Sequence, residues 1–270
     1  MRRRLIIIGV IGFWAVMTAT LVRQWVLEVW PEYVPGTYRS MLTAERRHFR
    51  SRMGIYIGKD QKRVGQTETM FVYREDGRYE IDNITQAIVA LPGFMEKAGT
   101  FTMTTQVRVG KDHRLEALKV VLESEWANVE YRGRVKGDVL EVVEIPKERK
   151  AKERLVGELP VPSGEVVAQS LSPLSALPPL KVGMRWSMMG INPLTLRDSK
   201  GWPLNLEVVR RERILWEGKD VDTHVVTITS GLFASKAWVS LDGDVLKESL
   251  PFLVTLIKEP VEETEERPQP

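Results

Sequence analysis

The chain has 270 residues, 28 % of them charged, with a formal net charge of +3 and no cysteine. The missing thiols exclude disulfides, thiolate catalysis, iron–sulfur and Cys-zinc sites, and a lipid attached to an N-terminal cysteine. Lysines and arginines alternate with acids along the chain instead of gathering on one face, which excludes a nucleic-acid footprint.

In chain order, Arg2, Arg3 and Arg4 precede eighteen uncharged residues, 5–22. A helix of that length covers about 27 Å, close to the thickness of bilayer hydrocarbon. Trp14 lies inside the run, and Trp25 and Trp30 follow it where interfacial aromatics sit. The basic flank places the N-terminus in the cytoplasm and the rest of the chain on the outer side. Cleavage as a signal peptide is the competing reading, with Thr18-Ala19-Thr20 a poor cleavage site. Residues 1–30 are therefore expected to be a membrane anchor and stem, broken by Pro31 and Pro35.

Residues 40–258 carry the pattern of antiparallel strands. Phe101, Met103, Thr105, Val107 and Val109 alternate with Thr102, Thr104, Gln106 and Arg108. Leu118, Val120, Leu122, Ser124 and Trp126 share a face, as do Val129, Tyr131, Gly133 and Val135. A period of two gives each strand one apolar and one polar side. Asp76-Gly77 and Asp242-Gly243 read as tight turns, with Gly77 and Gly243 at positive φ. Gly58-Lys59-Asp60, Gly110-Lys111-Asp112 and Gly218-Lys219-Asp220 open three more hairpins. The pair Gly137-Asp138-Val139-Leu140 and Gly243-Asp244-Val245-Leu246 hints at two related meanders.

Between these meanders, Pro160, Pro162, Pro173, Pro178 and Pro179 deny donors to a sheet. A crossover with a short helix is expected there, its Leu171, Leu174, Leu177 and Leu180 available to cover an apolar surface. Residues 259–270, with Glu262, Glu263, Glu265 and Glu266 between prolines, read as a disordered acidic tail.

Met53-Gly54-Ile55-Tyr56, the turn at Gly58, and Arg63-Val64-Gly65-Gln66 resemble the opening of bacterial extracytoplasmic β-domains that precede transglutaminase-like modules. Leu180-Lys181-Val182-Gly183, Asn192-Pro193-Leu194, and the stretch from Trp238 to Glu248 with Pro251 continue the likeness over roughly residues 50 to 258. The resemblance implies a mainly β fold: a large curved antiparallel sheet, like the half-barrels of lipoprotein carriers, behind one N-terminal transmembrane helix. It also implies a concave surface for a lipid or acyl chain. The Cys-His-Asp machinery of the neighbouring module is absent.

Catalytic signals are sparse. His48, His113 and His224 are scattered, so no metal site is expected. There is no Gly-x-Ser-x-Gly elbow, phosphate loop or dinucleotide fingerprint. Glu123 with Glu125, or Glu141 with Glu144, would have to serve any carboxylate-based glycan hydrolase, although solvent-facing acids explain the first pair better. Trp126, Trp186, Trp216 and Trp238 fall in expected strands, as core or as the lining of a groove. Trp202, bracketed by Gly201 and Pro203, reads as a loop residue that is either a lid or a contact. The candidate ligand groove or lid is thus Trp126, Trp186, Trp202, Trp216, Trp238, Leu174 and Leu177. These features point to a periplasmic, inner-membrane-tethered binding module without cofactor, its partners the membrane and a lipid or envelope protein. A structural subunit of an envelope complex is the alternative.

Overall fold

Strands form where the alternation lets one side of the chain leave water. The structure, a computed structural model, describes residues 48–89, 99–112, 114–125, 128–146, 153–160, 166–168, 180–191, 202–230 and 233–261. The first half holds β1 (His48–Ile57), β2 (Lys62–Tyr73), β3 (Tyr79–Val89), β4 (Gly99–Val109), β5 (Leu115–Ser124), β6 (Asn128–Lys136), β7 (Val139–Pro146) and β8 (Arg154–Pro160). The second holds β9 (Val166–Ala168), β10 (Arg185–Ile191), β11 (Trp202–Trp216), β12 (Lys219–Ser230), β13 (Phe233–Ser240), β14 (Val245–Leu250) and β15 (Val254–Glu259). Among the described residues there is no helix, and so none long and apolar enough to cross a membrane. The expected span at 5–22, the tail from Glu262, and the crossover leucines 171, 174 and 177 lie outside the described residues.

All fifteen strands belong to one sheet, in the order β8 to β1, then β15 down to β9. Every junction is antiparallel except β9 with β10, which is parallel. The two halves join where the first strand meets the last, with Arg52 opposite Glu259 and Ile57 opposite Val254. Strands β8 and β9 are the two edges of the sheet, yet only residues 161–165 separate them in the chain. Laid flat, fifteen strands would hold those edges about 67 Å apart. The six steps from Pro160 to Val166 reach about 20 Å at most. The sheet must therefore roll up, and β9 comes within 8 Å of β5 across the roll. The result is barrel-like but not closed by hydrogen bonds.

The inner side carries one continuous core. Ile81, Met103, Val107, Val120 and Leu140 from the first half join Leu206, Val226, Val239 and Leu256 from the second. Complete burial of each such side chain is worth about 1.5–3 kcal/mol. The core is not wholly apolar: Ser51, Thr67, Thr69, Asn83, Thr85 and Thr105 are buried as well. Asn83 satisfies itself by donating from Nδ2 to Thr67 Oγ1 (3.0 Å) and Thr69 Oγ1 (2.7 Å). Hydroxyls and a carboxamide at cross-strand positions thus replace methyl packing with a hydrogen-bonded patch.

Tight turns set the registers. Gly77 (φ 84°) and Gly243 (φ 85°) adopt the left-handed backbone that side chains resist. Gly243 N donates to Ser240 O at 3.0 Å, closing the β13–β14 turn. Two residues with side chains also enter that region side by side: Phe252 (φ 61°) and Leu253 (φ 60°), between β14 and β15. Each such residue costs about 1–2 kcal/mol relative to a right-handed backbone.

Candidate functional site

On β3 to β6 the polar residues fall into two cross-strand rows. Register places Glu80, Arg108, Ala117 and Arg134 side by side in one row. Asp82, Gln106, Lys119 and Arg132 form the next. These residues alternate with the buried Ile81, Val107 and Leu118, so they stand on the face opposite the core. Neighbouring side chains in a row start about 5 Å apart. The single methyl of Ala117 therefore leaves a gap between two arginines. A depression of about 300 Å³ opens there, lined by both rows.

The charges around the gap are unevenly answered. Arg132 Nε donates to Glu130 Oε1 at 2.5 Å, and Lys119 Nζ lies 3.9 Å from Glu130 Oε2. Glu130 thereby relieves the repulsion between Lys119 and Arg132, which sit directly opposite each other. Gln106 Nε2 donates to Asp82 Oδ1 at 3.0 Å. Glu80 pairs with Arg74 and stands 3.9 Å from Arg108. Arg134 faces Glu141 on β7, but Glu141 takes Lys136 at 2.5 Å instead. Among the described residues Arg134 makes no ion pair or hydrogen bond. Two half-exposed guanidiniums, one unpaired and one loosely paired, thus flank a vacant alanine position. A planar fork of N–H donors suits carboxylate or phosphate oxygens, and two forks can grip one tetrahedral anion.

Of the residues singled out from sequence, Trp186 and Trp238 stand on opposite faces of the sheet. Trp186 is buried in the core opposite Leu206. Trp238 lies opposite Val225, outside that core, where its Nε1 donates to Glu212 Oε1 at 3.2 Å and Lys247 Nζ sits 5.1 Å from its ring. Trp216 is half-buried at the end of β11. Trp202 begins β11 opposite Gly190 instead of occupying a loop, because β10 extends far enough to pair with it. Trp126, Leu174 and Leu177 lie outside the described residues. The inner side expected to offer a ligand surface is occupied by its own core.

The carboxylates divide in the same way. Glu123 and Glu125 are exposed, as strand alternation requires. Glu141 and Glu144 point to opposite sides, and Glu144 is buried next to Tyr131, so the pair cannot work together. His224 is buried, accepting at Nε2 from Arg211 Nε at 3.3 Å while Nδ1 lacks a partner. Burial, then the Arg211 charge, hold its imidazole below the ordinary value. Among the described residues no three metal-ligating side chains converge. The signal for the arginine site was present as Gln106-x-Arg108, Ala117-x-Lys119 and Arg132-x-Arg134, but only the register sets those three in line.

No family model matches the chain, and no curated protein matches it. Among solved structures it is similar to proteins from two families of unknown function. One is a beta-barrel-like protein of domain of unknown function DUF1849 from Brucella abortus, with 9 % identity, TM-score 0.49, and coverage of 79 % of this chain and 95 % of that one. Another is a DUF1089 family protein from Pseudomonas aeruginosa, with 15 % identity, TM-score 0.37, and coverage of 67 % and 86 %.

Proposed function

We propose that this protein is a non-catalytic binding module, tethered to the bacterial inner membrane by residues 5–22, that holds an anionic group of an envelope component on its periplasmic side. The observation that carries the binding reading is the Arg108–Ala117–Arg134 row, with the unpaired Arg134 guanidinium beside a gap of about 300 Å³. An oxyanion seated over Ala117 would receive donors from both arginines, while Lys119 and Arg132 add positive potential. The tether rests on the arginine-flanked apolar run. Its extracytoplasmic setting agrees with the motif likeness at Met53–Tyr56 and Trp238–Glu248 to β-domains that precede transglutaminase-like modules. The chain enters β1 and leaves β15 at the same end of this strand pair, Glu259 standing opposite Arg52 in the half of β1 that His48 opens. That arrangement suits a domain carried on a single stalk.

The test uses the whole chain in detergent micelles, titrated calorimetrically with methyl phosphate and with a phosphate-bearing short-chain lipid. Ala117→Leu fills the gap, and Arg134→Glu reverses the unpaired charge. Binding weakened at least tenfold in both variants is expected. Retention of full affinity by both would overturn the site. A preference for the lipid over methyl phosphate would identify the envelope component as a lipid.

A further inference from the structure

The apolar tip formed by the β14–β15 and β1–β2 turns has no counterpart in the binding site. Phe252 is 82 % exposed, Leu253 63 % and Ile57 40 %. The two turns are tied together by Gly58 N donating to Leu253 O at 3.1 Å, so the tip is a built feature and not a frayed end. Phe252 and Leu253 both hold the left-handed backbone, although glycine would fit there without strain. Lys59, in the neighbouring turn, and Lys62, the first residue of β2, stand exposed on either side of Asp60, with no ion pair among the described residues. An aromatic and a branched aliphatic side chain on a protruding turn, bordered by lysines, match the boundary of an anionic bilayer. There rings sit at headgroup level and lysines meet negative lipid.

We infer that Phe252, Leu253 and Ile57 dip into the anionic surface of the bilayer that anchors the chain, with Lys59 and Lys62 against its headgroups. This rests on the tether proposed above. The tip lies at the far end of β1 from His48, where the preceding chain joins, and β1 is about 33 Å long. Between Val22 and His48 lie 25 residues, 47 − 22. Extended, they reach about 85 Å, enough for the domain to invert on its stalk and lay the tip on the same membrane. The arginine site, whose row is near the opposite end of the sheet, would then face away from the bilayer.

The absence of cysteine allows single-site labelling of the full chain. Leu253→Cys and, at the opposite end, Asp138→Cys would each carry an environment-sensitive fluorophore. Both proteins are reconstituted into phosphatidylethanolamine–phosphatidylglycerol vesicles (3:1) containing a spin-labelled lipid, and insertion is checked by flotation. Quenching at least threefold stronger at position 253 than at 138 is expected. Lys59→Glu with Lys62→Glu, which leaves the β14–β15 turn unaltered, should halve the quenching at 253. Pure phosphatidylcholine vesicles should do the same. Equal quenching at both positions, or stronger quenching at 138, in a chain that floats with the vesicles would overturn the tip and leave the tether standing. A chain that does not float overturns both.

Discussion

Gly65 gives the sharpest test of the sheet. It sits in β2 opposite Ala87 of β3, beside the irregularity at Ile55 and Tyr56. A Cβ built there would lie 2.2 Å from Gln86 O, 2.7 Å from Ala87 Cα and 2.9 Å from Ala87 Cβ. Carbon contacts are comfortable only from about 3.5 Å, so β3 must retreat by about 1 Å. Two of the three atoms are backbone, and no change of rotamer relieves them. Such a retreat stretches adjacent ladder bonds from about 2.9 Å to beyond 3.5 Å, where they cease to count. Two lost bonds at about 0.5–1.5 kcal/mol each, added to an overpacking cost of about 1–3 kcal/mol, put Gly65→Ala at about 2–6 kcal/mol. Two controls carry the same substitution. Gly137→Ala meets no atom within 4 Å but must keep φ 63°, which costs about 1–2 kcal/mol. Gly157→Ala on edge strand β8 meets nothing and has no such constraint, so it should change stability by less than about 1 kcal/mol. Denaturant unfolding of the whole chain in micelles, followed by far-ultraviolet circular dichroism, should rank them in that order. Gly65→Ala unfolding together with Gly157→Ala would refute the β2–β3 register.

Gly243→Val should cost about 1–3 kcal/mol, because valine must hold φ 85° in the β13–β14 turn. Gly12→Val, in the expected span, should leave domain melting unchanged, and equal melting of both variants would refute the turn. His224 ties stability to pH: its folded value lies below the ordinary 6.5, so the unfolded chain takes up a proton that the folded one refuses. Its contribution is full above about pH 6.5 and shrinks as pH falls from there toward the folded value. His224→Gln should reduce the loss in melting temperature between pH 7.5 and 5.5, and an unchanged loss would show that this imidazole is not the cause.

Local order was largely legible in the sequence. The alternation from Phe101 to Val109 reports burial directly, since every second side chain faces one core. Glycine turns were legible because backbone sterics leave few alternatives. The polar core was not. Asn83 and Thr85 look like solvent-facing residues until their partners on β2 are known. The arginine site was hidden for the same reason: Arg108, Ala117 and Arg134 come from three strands, and pairing registers decide their adjacency. Trp186 took the core place that its size suggests, whereas Trp238 did not. Size marks a residue for burial, but Trp238 is covered from outside by Lys247 and Glu212 rather than by the core. Nothing near Trp238 in the chain announces which side of β13 is which.

The pairing of β1 with β15 has a consequence for synthesis. Tyr56 donates to Glu259, 203 positions later, and Arg63 grips the same carboxylate through two hydrogen bonds. The first eight strands can pair with their sequence neighbours as they emerge, but the inner edge of β1 has no mate until the last strand is made. For most of translation the nascent chain carries a long open edge beginning at its first strand, the arrangement that invites pairing with other chains. Loss of residues beyond Pro251 would make that exposure permanent. A premature stop there should yield aggregates from a chain that retains nearly all its strands.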